Sequence, residues 1–407
     1  MTDRPARPAS SNRLEPMQFV LAFGVVSMLA DFVYQGARAI VGPYLATFGA
    51  SAALVGAVTG IGEAVALVLR LATGPLSDRT QRHWALSIGG YLITIIAVPL
   101  LAAAPSLWPA AGLVIAERFG KAVRTPARDT MLAQASTGIG RGMAFGVHEA
   151  LDQSGALLGP LLVAGMILMS GYRAAFLALA APGALAVIAL IWLRRAVPRP
   201  VLYEKAHSHS TAQPEGSAAT TALPGRFWLY SAFTAASMAG FTTFGVLSYH
   251  LQVRHVLPRA LIPVTYSVAM AAAALAALGC GRLYDRFGLR SLALAIPLTV
   301  LVPLLSFSTD VAWVWIGAGV WGAVVGIHGS TLRAAVADMV PRARLGTAYG
   351  IFTAAYGLAW LVGSTVIGAL YDHSVAATIY FTVTTQVAAA ILFVPLVRKG
   401  SPPRAAA

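Results

Sequence analysis

The sequence is poor in cysteine and in charge, and each shortage excludes a class of protein. Cys280 is the only cysteine, so an intrachain disulfide and a cysteine-based metal site are excluded, and we expect no bound metal. Only 11% of the residues are charged, far below the share in a soluble globular domain. Walker loops, nucleophile elbows and HExxH sequences are also missing. We therefore expect no enzymatic activity, no cofactor and no use of ATP.

The apolar share of the sequence indicates the class of protein. Hydrophobic residues make up 57% of the chain and the mean hydropathy is +0.72, a composition typical of a polytopic membrane protein. The first apolar run is too long for a signal-peptide core and lacks a convincing cleavage site, so we expect it to be retained. Because one crossing takes about 20 apolar residues, the runs predict an all-α protein with twelve membrane-spanning helices, called spans 1 to 12. These are residues 17–47, 52–73, 84–104, 107–135, 142–169, 173–194, 226–253, 260–281, 290–308, 311–339, 345–371 and 375–397.

Basic residues predict the orientation of the spans. The N-terminus, the even-numbered connections and the C-terminus carry nineteen Lys and Arg residues, whereas the odd-numbered connections carry only Arg173, Arg254 and Arg259. The positive-inside rule therefore places both termini in the cytoplasm, and we expect a multi-pass protein of the cytoplasmic (inner) membrane. The net charge of +14 is spread over short connections, so the predicted partner is the lipid bilayer and not nucleic acid.

A polar connection divides the chain into two sets of six spans. It is rich in Pro, Ser, Ala and Thr, a composition typical of a flexible linker. The predicted organisation is a cytoplasmic tail at 1–16, an N-terminal six-helix bundle at 17–194, the cytoplasmic linker at 195–225, a C-terminal six-helix bundle at 226–397 and a tail at 398–407.

An internal repeat relates the two bundles. Residues 74–82, after span 2, resemble residues 281–290, after span 8, at an offset of 207, and residues 141–146 resemble residues 345–350 at an offset of 204. Two homologous six-helix halves in parallel orientation are typical of one transporter architecture. The repeat therefore predicts two pseudo-symmetric bundles.

Both copies of the first repeated stretch contain the residues of one family motif. The first copy follows the pattern GxLxDRxGRR/K, except that Gln81 and His83 stand where the family usually has glycine and a basic residue. On this motif the chain resembles the major facilitator superfamily over essentially its whole length, and the resemblance implies that family's fold. The matching residues are Gly74, Leu76, Asp78, Arg79 and Arg82 in the first copy and Gly281, Leu283, Asp285, Arg286, Gly288 and Arg290 in the second.

The resemblance implies a conformational switch at this motif. In the family, the motif stabilises the outward-facing state from the cytoplasmic side. An aspartate at a helix end can accept N–H groups at the N-terminus of a neighbouring helix and meet its positive dipole end. The implied switch residues are Gly74, Asp78, Arg79, Arg82, Gly281, Asp285 and Arg286.

Span 5 carries a second family resemblance. Gly155, Gly159 and Pro160 form a GxxxGP pattern that is similar to the antiporter motif of drug:proton exporters. Small residues at this spacing let two helices approach closely, and proline favours a bend. Span 4 departs from the exporters' RxxxxG pattern, because a glycine stands only two positions after Arg118. The resemblance implies antiport but does not transfer the exporters' span 4 residues.

Span 4 places six charged residues inside an apolar run. Glu117, Lys121, Arg124 and Arg128 share one stripe of a helix. A charge that faces lipid near the bilayer centre costs about 2.5 to 3.5 kcal/mol on insertion scales. We therefore expect the stripe to face other helices or a water-filled cavity. The interpretation stays open between ion pairs that only stabilise the fold and a polar translocation pathway.

Four carboxylates within the spans are candidates for proton coupling. Burial favours the neutral form of a carboxyl group, and an arginine that approaches favours the ionised form. Each candidate has the alternative of a permanent ion pair, and the sequence does not rank them. They are Asp31 in span 1, Glu63 in span 2, and Glu149 and Asp152 in span 5.

The C-terminal bundle differs from its counterpart in the residues that face the predicted cavity. Tyr349, Tyr356 and Trp360 form an aromatic stripe in span 11, on the face that carries ionisable residues in span 5. This asymmetry favours protons and charge in the N-terminal bundle and an organic substrate against aromatic rings, although such stripes are common in ordinary packing. The candidate substrate-cavity residues are Tyr34, Arg38, Glu117, Lys121, Arg124, Arg128, His148, Tyr349, Tyr356 and Trp360.

The combined features predict a monomeric secondary active transporter. We expect it to export a small organic amphipathic or anionic compound in exchange for protons by alternating access. One alternative is a proton symporter that imports an organic anion, which the excess of Arg and Lys in spans 1 and 4 would suit. A second alternative is a transporter-fold sensor or assembly partner. The doubled motif and the lack of a folded soluble domain argue against it.

Overall fold

The structure is a computed structural model that describes residues 14–136, 139, 141–203, 222–341 and 344–398. The predicted tails 1–16 and 398–407 lie largely outside the described residues, and so does most of the predicted linker. The described part of the chain is almost entirely helical and contains no β-strand. This agrees with the predicted all-α membrane class.

The helices are labelled in chain order, and α1 to α7 are called the N-half and α8 to α14 the C-half. The N-half contains α1 (Pro16–Thr47), α2 (Ala52–Val68), α3 (Arg70–Thr80), α4 (His83–Leu100), α5 (Leu107–Ala135), α6 (Arg141–Ala178) and α7 (Ala180–Ala196). The C-half contains α8 (Gly225–Ala239), α9 (Phe244–Val253), α10 (Ile262–Phe287), α11 (Ala295–Ser306), α12 (Val311–Met339), α13 (Leu345–His373) and α14 (Val375–Arg398). Short 3₁₀ helices occupy Leu101–Ala103, Arg259–Leu261 and Gly288–Leu294.

Three predicted spans differ from single straight helices. Span 2 is built from α2 and α3, which meet at Leu69, and span 7 is interrupted between α8 and α9 at residues 240–243. Helix α6 continues beyond the predicted end of span 5, and its backbone is non-helical at Gly171, where φ is 80°. Glycine adopts this left-handed conformation without a steric penalty. Gly171 therefore marks the boundary that the sequence predicted between spans 5 and 6.

Eight helical stretches in the described part of the chain are long and apolar enough to cross a membrane. Two of them, Met143–Ala196 and Arg259–Ser306, contain 54 and 48 residues. Since one crossing takes about 20 residues, each has room for the two spans predicted there. Spans 4 and 7 are not among the eight, because α5 carries six charges and span 7 is divided into two short helices. The multi-pass helical architecture is confirmed, and the count of twelve stays a prediction.

The internal repeat reappears in the packing of the two halves. A Cβ atom added to Gly159 would lie 2.1 Å from the carbonyl oxygen of Phe32, and one added to Gly363 would lie 2.1 Å from that of Ala239. Gly159 and Gly363 are 204 residues apart and Phe32 and Ala239 are 207 apart, the two offsets of the sequence repeat. Each half therefore uses a glycine at the same place to bring two helix backbones together.

We expect Gly159→Ala to lower the free energy of unfolding by about 1 to 3 kcal/mol, because α6 must move away from α1 to admit the methyl group. Gly165→Ala is the matched control on the same helix, where an added Cβ meets nothing within 4 Å. The control also measures the gain in helix propensity from alanine. Thermal unfolding of the purified variants in detergent checks the expectation, and equal midpoints for the two variants would contradict it.

The buried apolar residues form separate clusters at the two ends of the bundle. The end where α1 begins and α7 ends is called the linker end, and the opposite end is called the far end. One large cluster contains side chains of both halves, among them Tyr44 and Phe244, and lies toward the far end. Toward the linker end each half has its own cluster, around Phe19 in the N-half and Phe227 in the C-half. The halves are therefore packed together at the far end.

Span 2, which consists of α2 and α3, connects the halves by packing along α13. A Cβ added to Gly56 would lie 2.2 Å from the carbonyl oxygen of Ser364, and one added to Gly350 would lie 2.3 Å from Cδ2 of Leu71. The first contact lies toward the far end and the second toward the linker end. The pair therefore keeps the halves in contact where their apolar clusters are separate.

Candidate functional site

Three charged side chains of α5 are buried inside the bundle. Glu117, Arg118 and Arg124 are each 5% exposed or less. A Cβ added to Gly120 would lie 2.7 Å from the carbonyl oxygen of Gly90, so α4 and α5 approach closely at this level. These three charged side chains consequently face protein groups and do not face lipid, as the cost of burial in lipid requires.

Glu63 is the centre of one chain of ion pairs. Its Oε1 lies 2.7 Å from Nη2 of Arg38 and 3.7 Å from Nη2 of Arg118. Arg118 continues the chain through its Nε, 3.4 Å from Oε2 of Glu117. Arg38 also donates from Nη1 to the hydroxyl of Tyr34 at 3.0 Å. This series of ion pairs contains two cations and two carboxylates, so it carries no net charge when all four are ionised.

Arg124 has a separate set of partners. Its Nη2 lies 3.5 Å from Oδ1 of Asp31, its Nη1 donates to Oγ1 of Thr94 at 3.1 Å, and its Cζ lies 4.6 Å from the ring centroid of Tyr91. The side chain is 1% exposed. Such an environment is typical of a structural counter-charge, since no face of the guanidinium is open to a substrate.

A chain of hydrogen-bonding groups links three helices beside Arg124. The hydroxyl of Tyr91 on α4 lies 3.0 Å from Oγ of Ser27 on α1, which in turn lies 2.9 Å from Nε2 of His148 on α6. His148 is 3% exposed. These hydrogen bonds fix the position of α6 along the axes of α1 and α4.

Asp152, one turn after His148, is the one of the four candidate carboxylates with no hydrogen bond or ion pair to a residue that the structure describes. Its Oδ1 is buried and accepts no hydrogen bond from the residues that the structure describes. Asp31, Arg128 and Lys121 are near enough to interact with it electrostatically. Arg128 is itself engaged, because its Nε donates to Oδ1 of Asp129 at 2.9 Å.

Glu149 lies outside this buried group. Its side chain is exposed, and its Oε1 accepts a hydrogen bond from Nε2 of Gln153 at 2.9 Å. The four candidate carboxylates are therefore in different environments. Asp31 and Glu63 are ion-paired, Asp152 is half-buried with its Oδ1 enclosed and without a hydrogen bond from a described residue, and Glu149 is exposed.

Lys121 is positioned over an aromatic ring. Its Nζ lies 4.0 Å from the ring centroid of Tyr34, and Cζ of Arg118 lies 4.3 Å from the same centroid. Cations over an aromatic face are attracted by the ring quadrupole. Within the described ranges Lys121 forms no ion pair, so its ammonium group remains available for another anion.

The aromatic stripe of span 11 is divided between two regions. Trp360 lies beside the ion-paired chain, with its ring centroid 6.0 Å from Cζ of Arg38, and its buried Nε1 finds no acceptor among the described residues. The ring of Tyr356 lies 5.8 Å from that of Trp360. Tyr349 packs against the C-half cluster nearer the linker end. Trp360 is thus the member of the stripe nearest to the charged groups of the N-half.

Sequence reasoning did not select two further residues at the boundary between the halves. Tyr266 of α10 donates to Oε1 of Gln35 on α1 at 2.6 Å, and both residues are buried. Gln35 shares a polar stripe of span 1 with Asp31, Tyr34 and Arg38, and this stripe was the available signal for it. No signal linked it to Tyr266, since the two residues are 231 positions apart.

A pocket lies between the halves beside this boundary. Arg38, Glu63 and Arg118 line it from the N-half, and Thr243 and Gly245 line it from the C-half. The ion-paired chain therefore borders the surface along which the halves meet. Within the described part of the chain, no group of three or more His, Cys, Asp or Glu residues is arranged to hold a metal ion.

The switch motif lies within helices, whereas the sequence pattern placed it in the connections after spans 2 and 8. Gly74 and Asp78 belong to α3, and Gly281 and Asp285 belong to α10, because both helices continue past the apolar runs. The charged switch side chains are exposed, and in the described part of the chain none pairs with the other half. They are Asp78, Arg79, Arg82, Asp285 and Arg286.

The antiporter-like motif joins α6 to α1 inside the N-half. A Cβ added to Gly155 would lie 2.1 Å from the carbonyl oxygen of Met28, and Gly159 makes the equivalent approach to α1 described above. Pro160 lies within α6, whose non-helical residue is Gly171 and not the proline. The motif consequently brings the helix of Asp152 against the helix of Asp31.

Comparison with known proteins identifies the family. The family model described as Major Facilitator Superfamily matches residues 23–364 and 258–407. Uncharacterized proteins of Mycobacterium tuberculosis and Mycobacterium bovis are each 50% identical over 392 residues, which cover 95% of this chain and 93% of the relative. An uncharacterized MFS-type transporter of Methanocaldococcus jannaschii is 28% identical over 164 residues, or 40% of this chain and 41% of the relative.

Solved structures show the same fold at low sequence identity. A mutant of the nucleoside transporter NupG has a TM-score of 0.76 and 14% identity, covering 93% of this chain and 99% of that chain. A POT family transporter in complex with 5-aminolevulinic acid has a TM-score of 0.72 and 13% identity, covering 93% and 95%. A bacterial homolog of the human lysosomal transporter Spinster has a TM-score of 0.69 and 17% identity, covering 93% and 94%. The chain therefore belongs to the major facilitator superfamily, and it is a multi-pass membrane protein of the secondary transporters.

Proposed function

We propose that this protein exports a small amphipathic or anionic organic compound across the cytoplasmic membrane in exchange for protons. In this proposal it acts as a monomer, with the linker end and both termini on the cytoplasmic side. The observation that carries the proposal is Asp152, whose buried Oδ1 has no hydrogen bond from a described residue and lies near Asp31. A buried carboxyl group in this situation is suited to bind and release a proton.

The coupling follows from the opposite effects of water and burial on a carboxyl group. Contact with water favours the ionised form, and enclosure without a partner favours the neutral form. Asp152 therefore exchanges its proton when alternating access changes the exposure of the N-half. Arg128 stands near enough to stabilise the ionised form. In this proposal Asp31 and Glu63 remain in their ion pairs.

The substrate chemistry follows from the groups that remain available around the boundary between the halves. Lys121 offers an ammonium group over Tyr34, and Trp360 offers a ring and an indole N–H. A compound with a flat apolar part and an anionic group would match both. The N-half then supplies the charge and the C-half supplies the aromatic surface.

The alternative of anion symport rested on the excess of basic residues in spans 1 and 4. Arg38 and Arg118 are paired with Glu63 and Glu117, and Arg124 is paired with Asp31 in α1. The unpaired positive charge is thus smaller than the count of basic residues suggests. The count of basic residues therefore no longer argues for the symporter.

Proton movement in proteoliposomes tests the proposal. An aryl sulfonate and an amphipathic quaternary ammonium compound are suitable probes, because each keeps its charge and carries no proton through the lipid unaided. With a pH-sensitive dye inside, we expect addition of the aryl sulfonate outside to make the interior more alkaline, since uptake expels protons. Acidification would indicate the symporter. A transported probe without any pH change would contradict proton coupling, and protein-free liposomes are the control.

A further inference from the structure

A carboxylate of the C-half caps a helix of the N-half at the far end. Asp372, in the last turn of α13, accepts a hydrogen bond from the backbone N–H of Ala52 through Oδ1 and from that of Ala53 through Oδ2, each at 2.9 Å. Ala52 is the first residue of α2. The cap therefore joins residues 320 positions apart in the chain.

This cap provides acceptors for unpaired N–H groups at the start of α2. The first N–H groups of an α-helix have no partner within the helix, and the positive end of the helix dipole lies there. Ser51, the residue before α2, accepts from the N–H of Leu54 at 3.3 Å. Asp372 accepts from two of the remaining groups, so the start of α2 is completed by a side chain from the other half.

The C-half holds Asp372 in place through the preceding residue. Nε2 of His250 lies 3.2 Å from the carbonyl oxygen of Ser308, and Nδ1 of His250 lies 2.7 Å from the hydroxyl of Tyr371. Since a carbonyl only accepts, Nε2 of the neutral ring carries the hydrogen and Nδ1 accepts from Tyr371. The ring of Tyr371 also lies 5.2 Å from that of Phe307. The end of α13 is therefore fixed to α9 and to the end of α11.

In the described part of the chain, four other hydrogen bonds toward the far end join the halves, and all four are between neutral groups. Among the carboxylates that the structure describes, Asp372 alone accepts hydrogen bonds from the opposite half. The other four bonds join Thr59 to Thr243 at 2.8 Å, Tyr172 to Gln252 at 2.8 Å, Tyr266 to Gln35 at 2.6 Å and Ser267 to the carbonyl oxygen of Leu157 at 2.9 Å.

We propose that Asp372 is the latch of a gate at the far end. It stabilises the conformation in which the halves are closed there, and its bonds to Ala52 and Ala53 break when the far end opens. Asp78, at the linker end, is exposed, and its carboxylate accepts no hydrogen bond from a helix that the structure describes. The two aspartates therefore act at opposite ends of the transporter, and Asp372 is the one engaged when the far end is closed.

Distances between pairs of spin labels test the latch without any substrate, so the result does not depend on the transport proposal. All variants carry Cys280→Ser, and nitroxides are attached at the exposed positions Ser106 and Arg259 of the far end. We expect Asp372→Ala to raise the ratio of far-end-open to far-end-closed molecules roughly fivefold, the effect typical of a lost helix cap. Double electron–electron resonance measures this ratio.

A second label pair, at Arg195 and Arg290 of the linker end, should report the opposite change, since the two gates alternate. Asp372→Asn keeps one carbonyl acceptor and loses the charge, so a smaller shift in the same direction is expected. If Asp372→Ala folds poorly, Asp372→Asn supplies the test. Wild-type distances in the folded variants would overturn the proposal.

Asp310→Ala is the matched control. Asp310 is also an exposed carboxylate at the far end, and its Oδ1 accepts from the N–H of Ala312 at 2.7 Å, which caps α12 within the C-half. Its loss removes a cap and a charge but no bond between the halves. We expect wild-type distances in Asp310→Ala. An equal opening in both variants would show a general effect of far-end charge and would overturn the latch.

Discussion

Asparagine in place of Asp152 is expected to reduce proton-driven transport at least tenfold while exchange of labelled for unlabelled substrate continues. Asparagine has the shape of the protonated carboxyl group but cannot release a proton, so only the step that moves the proton is lost. The stability should change little, because Oδ1 of Asp152 has no hydrogen bond from a described residue. Proteoliposomes with the transported probe, with and without an imposed pH gradient, measure the two activities.

Glu149→Gln is the matched control for this experiment. Glu149 lies on the same helix, one turn before Gln153, and its exposed carboxylate accepts from that side chain. We expect nearly normal driven transport from this variant. If driven transport and exchange fell equally in well-folded Asp152→Asn, Asp152 would not be the coupling site and Asp31 would become the next candidate. Loss of folded protein would instead indicate a structural ion pair.

Replacement of Arg124 by alanine is expected to destabilise the protein by about 3 to 5 kcal/mol, the cost typical of removing one partner of a buried ion pair. Arg124→Ala leaves Asp31 without its cation and takes away the donor to Thr94. Arg124→Lys keeps the charge but cannot reproduce both contacts, so a smaller loss is expected. Thermal unfolding and the monodisperse fraction in detergent measure these changes.

Lys121→Ala, one turn earlier on α5, separates the structural role from the substrate role. Lys121 has no ion pair among the described residues, so we expect this variant to fold normally and to bind an anionic probe more weakly. Asp31→Asn combined with Arg124→Ala should recover part of the stability, because the unpaired charge is gone. A stable Arg124→Ala protein that fails to transport would contradict this assignment and make Arg124 a substrate contact.

The ion pairs change the interpretation of the basic stripe in span 4. Helical periodicity alone assigns the same stripe of span 4 to Glu117, Lys121, Arg124 and Arg128, and it does not distinguish their environments. In the folded protein, Arg124 is enclosed and Lys121 stands over an aromatic ring beside the boundary between the halves. Two cations one turn apart therefore have different surroundings.

The sequence by itself determined the membrane class, most helix positions and the repeat. These features are local, since an apolar run of about 20 residues must be a membrane helix wherever it packs. The repeat offsets reappear in the contacts of Gly159 with Phe32 and of Gly363 with Ala239. The interruptions at Leu69 and at residues 240–243 were not predicted, because each lies inside a stretch long enough and apolar enough overall for one span.

Only the tertiary structure determined which charged side chains are paired with each other. Helical periodicity assigns a side chain to a face, but its partner depends on the rotation and depth of the neighbouring helix, which close contacts such as that of Gly155 with Met28 set. Arg124 and Asp31 are 93 positions apart, and Asp372 and Ala52 are 320 apart. No local pattern carries that information. The packing of helix backbones at their glycines therefore decides which carboxylate is paired, which is left without a hydrogen bond from a described residue and which joins the halves.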